Sequence, residues 1–375
     1  MSKEFTPKLV VGVGVFCRLK EELEVHRSEK VLFIVEPTFK ELSFLYKINS
    51  FLKKQGFQVR MHFVPKGEET IQNPYKLPDL AYDATFDTVI GLGNNELLNY
   101  TTFTATTLER LGLNKKRKIT LFLIPSTPTT GIEASGKFYT YENNMRHFPF
   151  KRRLYPAIIF YDPLITIHIP LLQLIRSSVI TLAKAIEHHY NSATYRKLTT
   201  SSIQLIVHHL VRASYHRKDL EAREALLRAG MFLGLSSVDW KRISLIDCFV
   251  LPVYQKVQVS VATVTAVMLP YVVKLYREID EQREREILLA LGYTKYNKAQ
   301  SSSTLSYRLV NVFKGVGFPI DLRSIGVKEK DLDELAFTAY GLWMREGYCS
   351  KELTEESFYS LYREAYAGNI ESFFE

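Results

Sequence analysis

The chain has 375 residues, of which 46% are hydrophobic and 24% are charged. This composition fits a soluble globular protein of about two domains, and it excludes a disordered tail, a collagen-like chain and a disulfide-stabilised miniprotein. The formal charge of +9 favours an anionic small molecule or an acidic partner.

The first part of the chain alternates short β-branched runs with longer amphipathic segments. The short runs predict buried strands at Lys30–Glu36, Val59–Val64, Thr88–Leu92, Ile119–Ile124 and Ala157–Tyr161. Helical spacing predicts helices over Thr38–Gln55 and Leu97–Leu111. This alternation predicts a doubly wound, parallel, Rossmann-like α/β domain over residues 1–165.

From Pro170 onward the pattern is helical. The predicted helices are Leu171–Tyr190, Thr200–Ala213, Leu220–Leu235, Val261–Ile279, Asp331–Met344 and Thr354–Tyr366. Asp331 and Thr354 are the residue types that cap helix N-termini. Residues 166–375 are therefore predicted to form an all-helical domain, with a cleft between it and the first domain.

Several segments resemble one enzyme family. Ile124–Glu133 (IPSTPTTGIE) resembles the IPTTxGTGSE phosphate loop of iron-containing alcohol dehydrogenases, and Pro156–Pro170 resembles the family's DPxLTxxLP turn. Ala183–Glu187 (AKAIE) is similar to the family's AxxHAIE segment. The resemblance covers nearly the whole chain and implies the dehydroquinate synthase-like fold. It also implies an oxidoreductase that uses a nicotinamide cofactor and a divalent iron or zinc.

The metal ligands of the family are one Asp and three His. The resemblance places them at Ile180, Lys184, Asp247 and Val261, so no histidine stands at any of the four positions. All nine histidines of the chain lie at or before His216. We therefore expect no iron or zinc at this degenerate site.

Lys184 has two interpretations. An inward-facing lysine needs a partner, because an unpaired buried charge is costly, and Asp247 is the expected one. In the first interpretation the two form a structural ion pair in the former metal site. In the second, the Lys184 ammonium is a catalytic electrophile or proton donor beside Asp247.

The family's first phosphate loop, GGGSxxDxxK, falls on Gly93–Thr102. Only Gly93 remains. Asn94 and Asn95 can adopt the left-handed conformations that glycine would use, so both stay candidate cofactor-binding residues. Glu96, however, sets a carboxylate near the expected diphosphate, and like charges repel there.

Other candidate cofactor contacts are Thr127, Thr130 and Gly131 in the second phosphate loop. Glu36 ends a predicted strand where the family commonly has an Asp that binds the ribose hydroxyls, which would favour NAD over NADP. The alternative for Glu36 is a solvated strand end. The resemblance thus makes NAD the cofactor to consider.

Partners and location follow from weaker features. The widely spaced Cys17, Cys248 and Cys349 predict no disulfide framework, and the residues before Lys8 do not resemble a signal peptide, so a cytoplasmic location is expected. The apolar stretch Tyr155–Ile186 contains charged residues and prolines, which predicts no membrane span. The resemblance implies a homodimer or a hetero-oligomer with a related subunit.

The basic runs Lys115–Lys118 and Lys151–Arg153 are predicted to be solvated loops. Facing one cleft, they would suit a phosphorylated ligand. A nucleic-acid surface is a third, disfavoured interpretation of the same residues.

Two functions are compatible with these observations. The first is a divergent family member that has lost metal-dependent hydride transfer, as a degenerate subunit or pseudoenzyme. The alternative is a metal-independent, NAD-linked oxidoreductase that acts on an alcohol or carbonyl substrate in the cleft, where Lys184 would orient the carbonyl group.

Overall fold

A computed structural model describes residues 7–65, 85–112, 118–142, 145–147, 154–192, 194–236, 244–293, 304–346 and 353–368. These residues form two compact units. The first lies within Met1–Leu174 and Lys218–Leu235, and the second within Ile175–Arg217 and Ser236–Glu375. The division at residue 165 predicted from the sequence stays a prediction.

The first unit contains a parallel sheet. The strands are β1 (Lys8–Val11), β2 (Lys30–Val35), β3 (Gln58–Phe63), β4 (Thr88–Gly93), β5 (Thr120–Pro125), β6 (Thr140–Glu142), β7 (Met145–His147) and β8 (Ile158–Tyr161). Six of them pair in parallel in the order β1–β8–β5–β4–β2–β3, and β6 and β7 form an antiparallel ribbon. The predicted parallel α/β fold is confirmed.

The helices account for most of the remaining described residues. They are α1 (Leu19–Val25), α2 (Ser43–Lys54), α3 (Asn95–Leu111), α4 (Pro163–Thr166), α5 (Leu171–Asn191), α6 (Arg196–Tyr215), α7 (Leu220–Leu235), α8 (Leu245–Lys256), α9 (Val261–Ile279), α10 (Glu281–Ala290), α11 (Leu305–Gly315), α12 (Leu332–Glu346) and α13 (Glu355–Ala367). The helix α7 belongs to the sheet unit. Thr354 caps α13 as predicted, because its side chain accepts the Ser357 N–H. Asp331 instead ends a 3₁₀ turn just before α12.

The core of the first unit forms around α3 and the central strands. Leu32 of β2, Leu121 of β5 and Leu227 of α7 belong to one buried apolar cluster. The helix α3 also buries several threonines. Four of their hydroxyls donate to the carbonyl four residues earlier, as buried hydroxyls in helices often do, at Thr101, Thr102, Thr104 and Thr106.

In the second unit, α8 is fixed by aromatic packing. The ring of Phe249 on α8 stacks on Phe358 of α13 with centroids 4.5 Å apart. The Tyr362 hydroxyl donates to the Phe249 carbonyl at 2.7 Å. Across the residues that the structure describes, no helix has the length and apolar character needed to cross a membrane.

Candidate functional site

A lysine lies among acceptors in the second unit, at two of the four positions where the resemblance places metal ligands. Lys184 Nζ on α5 donates to Asp247 Oδ2 at 2.6 Å, to Glu187 Oε2 at 3.0 Å and to Ser244 Oγ at 3.3 Å. We call these four residues the Lys184 cluster. The contact expected between Lys184 and Asp247 is therefore present.

The start of α8 holds Asp247 in place. Ser244 is the N-cap, and its hydroxyl accepts the Asp247 N–H at 3.0 Å while the Asp247 carboxylate accepts the Ser244 N–H at 3.4 Å. This reciprocal arrangement is a capping box. Asp247 Oδ2 thus accepts both the Ser244 N–H and the Lys184 ammonium, so the helix start and the ion pair share one carboxylate oxygen.

The lysine of this cluster is held in its charged form. Burial alone would lower the pKa of Lys184, but the nearby carboxylates of Asp247 and Glu187 outweigh burial and raise the pKa. Burial raises the pKa of Glu187, against the opposing effect of the Lys184 ammonium. An ammonium has three N–H donors, and here all three have protein acceptors.

The other two implied metal positions carry aliphatic side chains. Ile180 lies one turn before Lys184 on α5, and Val261 is the first residue of α9 with 36% of its surface exposed. Among the residues that the structure describes, no three His, Cys, Asp or Glu side chains are grouped so as to hold a metal ion.

Sequence reasoning missed Glu187 and Ser244. Both had a local signal. Glu187 follows Lys184 by three residues on a predicted helix, a spacing at which side chains meet. Ser244 precedes Asp247 by three residues, which is the capping-box spacing.

The second place of interest is the carboxyl edge of the sheet in the first unit. Ligands of doubly wound sheets bind outside the carboxyl ends of the strands. The strand β2 ends just before Glu36, its neighbour β4 ends at Gly93, and β5 is followed by Ser126. The candidate cofactor-binding residues lie at or just after these strand ends.

Glu36 is buried at this edge, with 7% of its surface exposed. Its Oε2 accepts the Asn94 backbone N–H at 3.0 Å and the Ser126 hydroxyl at 3.2 Å. Its Oε1 accepts Gln173 Nε2 at 2.7 Å, Thr38 Oγ1 at 3.2 Å and Asn94 Nδ2 at 3.4 Å. We call these residues the Glu36 cluster. A solvated strand end is therefore the wrong interpretation of Glu36.

The predicted left-handed conformations of Asn94 and Asn95 are also wrong. Asn94 is extended (φ −75°, ψ −179°) and caps α3, with its side chain accepting the Leu97 N–H. Asn95 is already helical. A single capping asparagine satisfies a free N–H at the helix start, so the turn does not need the glycine conformations of the family motif.

Asn95 connects the two phosphate-loop segments. Its Oδ1 accepts the Thr130 hydroxyl at 2.8 Å and the Thr130 N–H at 3.3 Å, and its Nδ2 donates to Tyr139 Oη at 2.9 Å. Tyr139 Oη in turn donates to Glu96 Oε1 at 2.8 Å. The side chains of Asn95, Thr130 and Glu96 therefore all have hydrogen-bond partners within the unit. Asn95 contacts Thr130 and Tyr139, and Tyr139 also contacts Glu96.

The rest of the second loop is tightly packed. Thr127 Oγ1 is buried and has no hydrogen-bond partner among the residues that the structure describes. Gly131 has a φ of +85°, and a Cβ there would lie 2.3 Å from the backbone of Gly234 on α7. Close packing against α7 therefore requires glycine at position 131. The roles predicted for Thr127, Thr130 and Gly131 in cofactor binding stay predictions.

A buried carboxylic acid follows this loop. Glu133 Oε1 accepts Thr129 Oγ1 at 2.5 Å and Tyr161 Oη at 3.0 Å. Burial raises the pKa of Glu133, although these hydrogen bonds oppose the effect. Sequence reasoning identified Glu133 only as a motif match, and its buried partner Tyr161 is 28 residues away.

Some predicted features cannot be placed. Lys115–Arg117, Lys151–Arg153 and Cys349 lie outside the described residues. Of the other cysteines, Cys17 is exposed and Cys248 is buried, and neither forms a disulfide bond within the part of the chain that the structure describes.

Sequence comparison and structural comparison with known proteins lead to the same family. The family model for iron-containing alcohol dehydrogenase matches residues 6–163, and the C-terminal model of the Fe-containing alcohol dehydrogenase family matches residues 174–366. Long-chain-alcohol dehydrogenase 1 from Geobacillus thermodenitrificans (strain NG80-2) is 25% identical, over 98% of this chain and 97% of that protein.

Two solved structures have the same fold. Maleylacetate reductase from Rhizobium sp. strain MTP-10005 superposes with a TM-score of 0.76 at 18% identity, covering 98% of each chain. NADH-dependent butanol dehydrogenase A from Thermotoga maritima gives a TM-score of 0.73 at 16% identity, also covering 98% of each chain.

The parallel-sheet unit and the helical unit have the dehydroquinate synthase-like fold. The chain belongs to the iron-containing alcohol dehydrogenase family, a family of oxidoreductases whose members typically use NAD(P) and a metal ion.

Proposed function

We propose that this chain has lost the metal-dependent hydride transfer of its family and acts as a degenerate subunit or pseudoenzyme. The observation that carries this proposal is the Lys184 ammonium, 2.6 Å from Asp247 Oδ2. A cation of the chain itself thus contacts the one carboxylate among the four implied ligand positions.

The residues of the Lys184 cluster do not fit a divalent ion. Metal ligands must be deprotonated donors, whereas the pKa of Lys184 is raised and its nitrogen stays protonated. A catalytic zinc takes three protein ligands, and the aliphatic Ile180 and Val261 donate nothing. Glu187 adds a second carboxylate, but the ammonium already binds it at 3.0 Å.

Metal-dependent turnover tests this proposal. The purified chain is loaded with Fe(II) or Zn(II), and nicotinamide oxidation or reduction is followed with a panel of alcohols and aldehydes. We expect no metal-dependent rate. The Geobacillus long-chain alcohol dehydrogenase, treated in the same way, is the positive control. A rate that appears with metal and disappears with a chelator would overturn the proposal.

A second candidate is a metal-independent, NAD-linked oxidoreductase, and the comparisons favour it. The named relatives are dehydrogenases and reductases. Lys184 offers a protonated donor, and its longest contact is the one to Ser244 Oγ, at 3.3 Å. A substrate carbonyl oxygen that replaced this hydroxyl would accept a charge-assisted hydrogen bond, which polarises the carbonyl group.

An assay in the presence of a metal chelator separates the two candidate functions. Turnover of an alcohol or aldehyde with NAD(H) in the presence of a chelator would establish the second candidate. Lys184→Met should then lower the turnover rate by a factor of at least ~100, the usual size of a proton-transfer contribution. Asp247→Asn retains the ammonium and is the matched variant.

The assembly of the chain is part of the same proposal. A homodimer, or a hetero-oligomer with a catalytically active relative, would give a degenerate subunit a role, and the cytoplasm would be its compartment. Light scattering of the purified chain, alone and mixed with an active relative from the same source, measures both associations. A monomer in both samples would contradict this part.

A further inference from the structure

The carboxylate of Glu36 has no acceptor capacity left for a ligand. A carboxylate offers about four lone-pair sites, and Glu36 accepts five hydrogen bonds from four residues. A ribose hydroxyl would have to displace one of these donors. The shortest contact, from Gln173 Nε2 at 2.7 Å, comes from the first turn of α5.

Gly93, at the end of β4, is packed closely against side chains of its own unit. In dinucleotide-binding loops, glycine lets the backbone approach the pyrophosphate. Here a Cβ on Gly93 would lie 2.5 Å from Leu97 Cδ2 and 3.0 Å from Glu36 Cβ. The space beside this glycine is therefore filled by two side chains of the same unit.

Two backbone N–H groups at the start of α3 have acceptors within the unit. Helix N-termini bind phosphate because their first N–H groups are free and carry partial positive charge. The Leu97 N–H already donates to Asn94 Oδ1 at 3.1 Å, and the Asn94 N–H donates to Glu36 Oε2. Glu96 adds a negative charge in the first turn of the helix, which disfavours a diphosphate there.

We propose that Glu36 is an internal ligand that closes the dinucleotide position of this sheet edge. The Glu36 carboxylate accepts a backbone N–H at the start of α3 and so takes the place of an external anion. The chain therefore does not bind NAD, NADH, NADP or NADPH. This inference concerns the first unit only and does not rest on the loss of the metal.

Hydrogen exchange and calorimetry together test whether this position is closed to dinucleotides. The full-length chain is titrated with each of the four dinucleotides at millimolar concentration. We expect no binding heat and no change in the exchange rate of the Asn94 amide. Saturable binding of any dinucleotide, or slower exchange of the Asn94 amide when one is present, would overturn the inference, whatever the metal assay gives.

Variants identify the residue responsible. Glu36→Ala should raise the exchange rate of the Asn94 amide at least tenfold, because its acceptor is removed. Gln173→Ala should leave that amide protected, since Oε2 keeps its own donors. Gln58→Ala, at an exposed glutamine of β3, is the matched control. An unchanged Asn94 exchange rate in folded Glu36→Ala would contradict the internal-ligand role.

If Glu36→Ala does not fold, Glu36→Asp replaces it, because it withdraws the carboxylate from the Asn94 N–H by one methylene group. The Asn94 amide should then exchange faster than in the wild type, and an unchanged rate would contradict the internal-ligand role. The wild-type titration decides the question of dinucleotide binding in either case.

Discussion

The Glu36 cluster and the Lys184 cluster lie in different units and have central side chains of opposite charge, and in both the protein uses the hydrogen-bond capacity of the central side chain. Their partners differ in kind. Glu36 is surrounded by neutral amide and hydroxyl donors, whereas Lys184 lies between two carboxylates.

This difference determines what remains when the central charge is removed. Around a missing Glu36 carboxylate, neutral donors are left without acceptors, and no single further substitution satisfies all of them. Around a missing Lys184 ammonium, two carboxylates lose their contact with it and repel each other, and neutralising one of them relieves the repulsion. The two clusters should therefore respond differently to second-site changes.

The largest expected effect is that of Glu36→Gln. The substitution keeps the shape of the side chain but turns an NH₂ group toward donors that need acceptors. We expect a loss of about 3 kcal/mol in the free energy of unfolding, since buried groups lose charge-assisted hydrogen bonds. Urea denaturation measures the loss. Glu24→Gln, in the exposed pair with Lys20, should change stability by no more than about 0.5 kcal/mol.

Lys184→Met should have the next largest effect. Removing one partner of a buried ion pair costs about 3–5 kcal/mol, and the partial exposure of Asp247, at 34%, reduces our expectation to about 2 kcal/mol. Adding Asp247→Asn should restore part of the loss. Equal stability of Lys184→Met and of the double variant would show that repulsion between the two carboxylates does not cause the loss. Lys20→Met in the exposed pair is the control.

Much of the fold could be predicted from local patterns. The runs at β2, β4 and β5 are almost entirely apolar because parallel strands are buried on both faces, and the structure confirms them. The short edge strand β1 (Lys8–Val11) was not predicted, since it has only four residues and is partly exposed. The helix α8 was missed because its apolar residues lack a clear helical period around Pro252.

The chemistry of the two clusters could be predicted only in part. The resemblance placed Lys184 and Asp247 together, although 63 residues separate them. It also placed Glu36 at the strand end. It did not reveal that the hydrogen-bond capacity of the Glu36 carboxylate is filled, because the donors Ser126 and Gln173 are 90 and 137 residues away. Donor counts around a buried carboxylate depend on such long-range contacts, which no local pattern records.

A smaller effect should follow from Gly93→Ala. The new Cβ would contact Leu97 Cδ2, the flexible end of a side chain, and Glu36 Cβ. Overpacking of this kind costs about 1–3 kcal/mol, and we expect the lower half of that range because Leu97 can move. In a Leu97→Ala background the cost of Gly93→Ala should fall, as measured by urea denaturation. An undiminished cost would show that Leu97 does not fill the space beside Gly93.

The smallest effect that distinguishes the two clusters is a dependence of stability on pH in the alkaline range. The carboxylates beside Lys184 raise its pKa above the ordinary value of 10.5, against the effect of burial. Folding therefore favours the protonated lysine. The resulting stabilisation is complete below pH 10.5 and is lost as the pH rises through the pKa of the folded state.

The difference in urea midpoint between the wild type and Lys184→Met isolates this contribution, because the buried tyrosines titrate in both proteins. We expect the difference to be constant near pH 8 and to narrow above about pH 10.5, where the unfolded lysine loses its proton while the folded one retains it. The same comparison between the wild type and Glu36→Gln should stay flat over this range, because that substitution leaves Lys184 and its two carboxylates unchanged. A Lys184 difference that stayed constant up to the alkaline unfolding of the protein would mean that the two carboxylates do not hold the ammonium in its charged form.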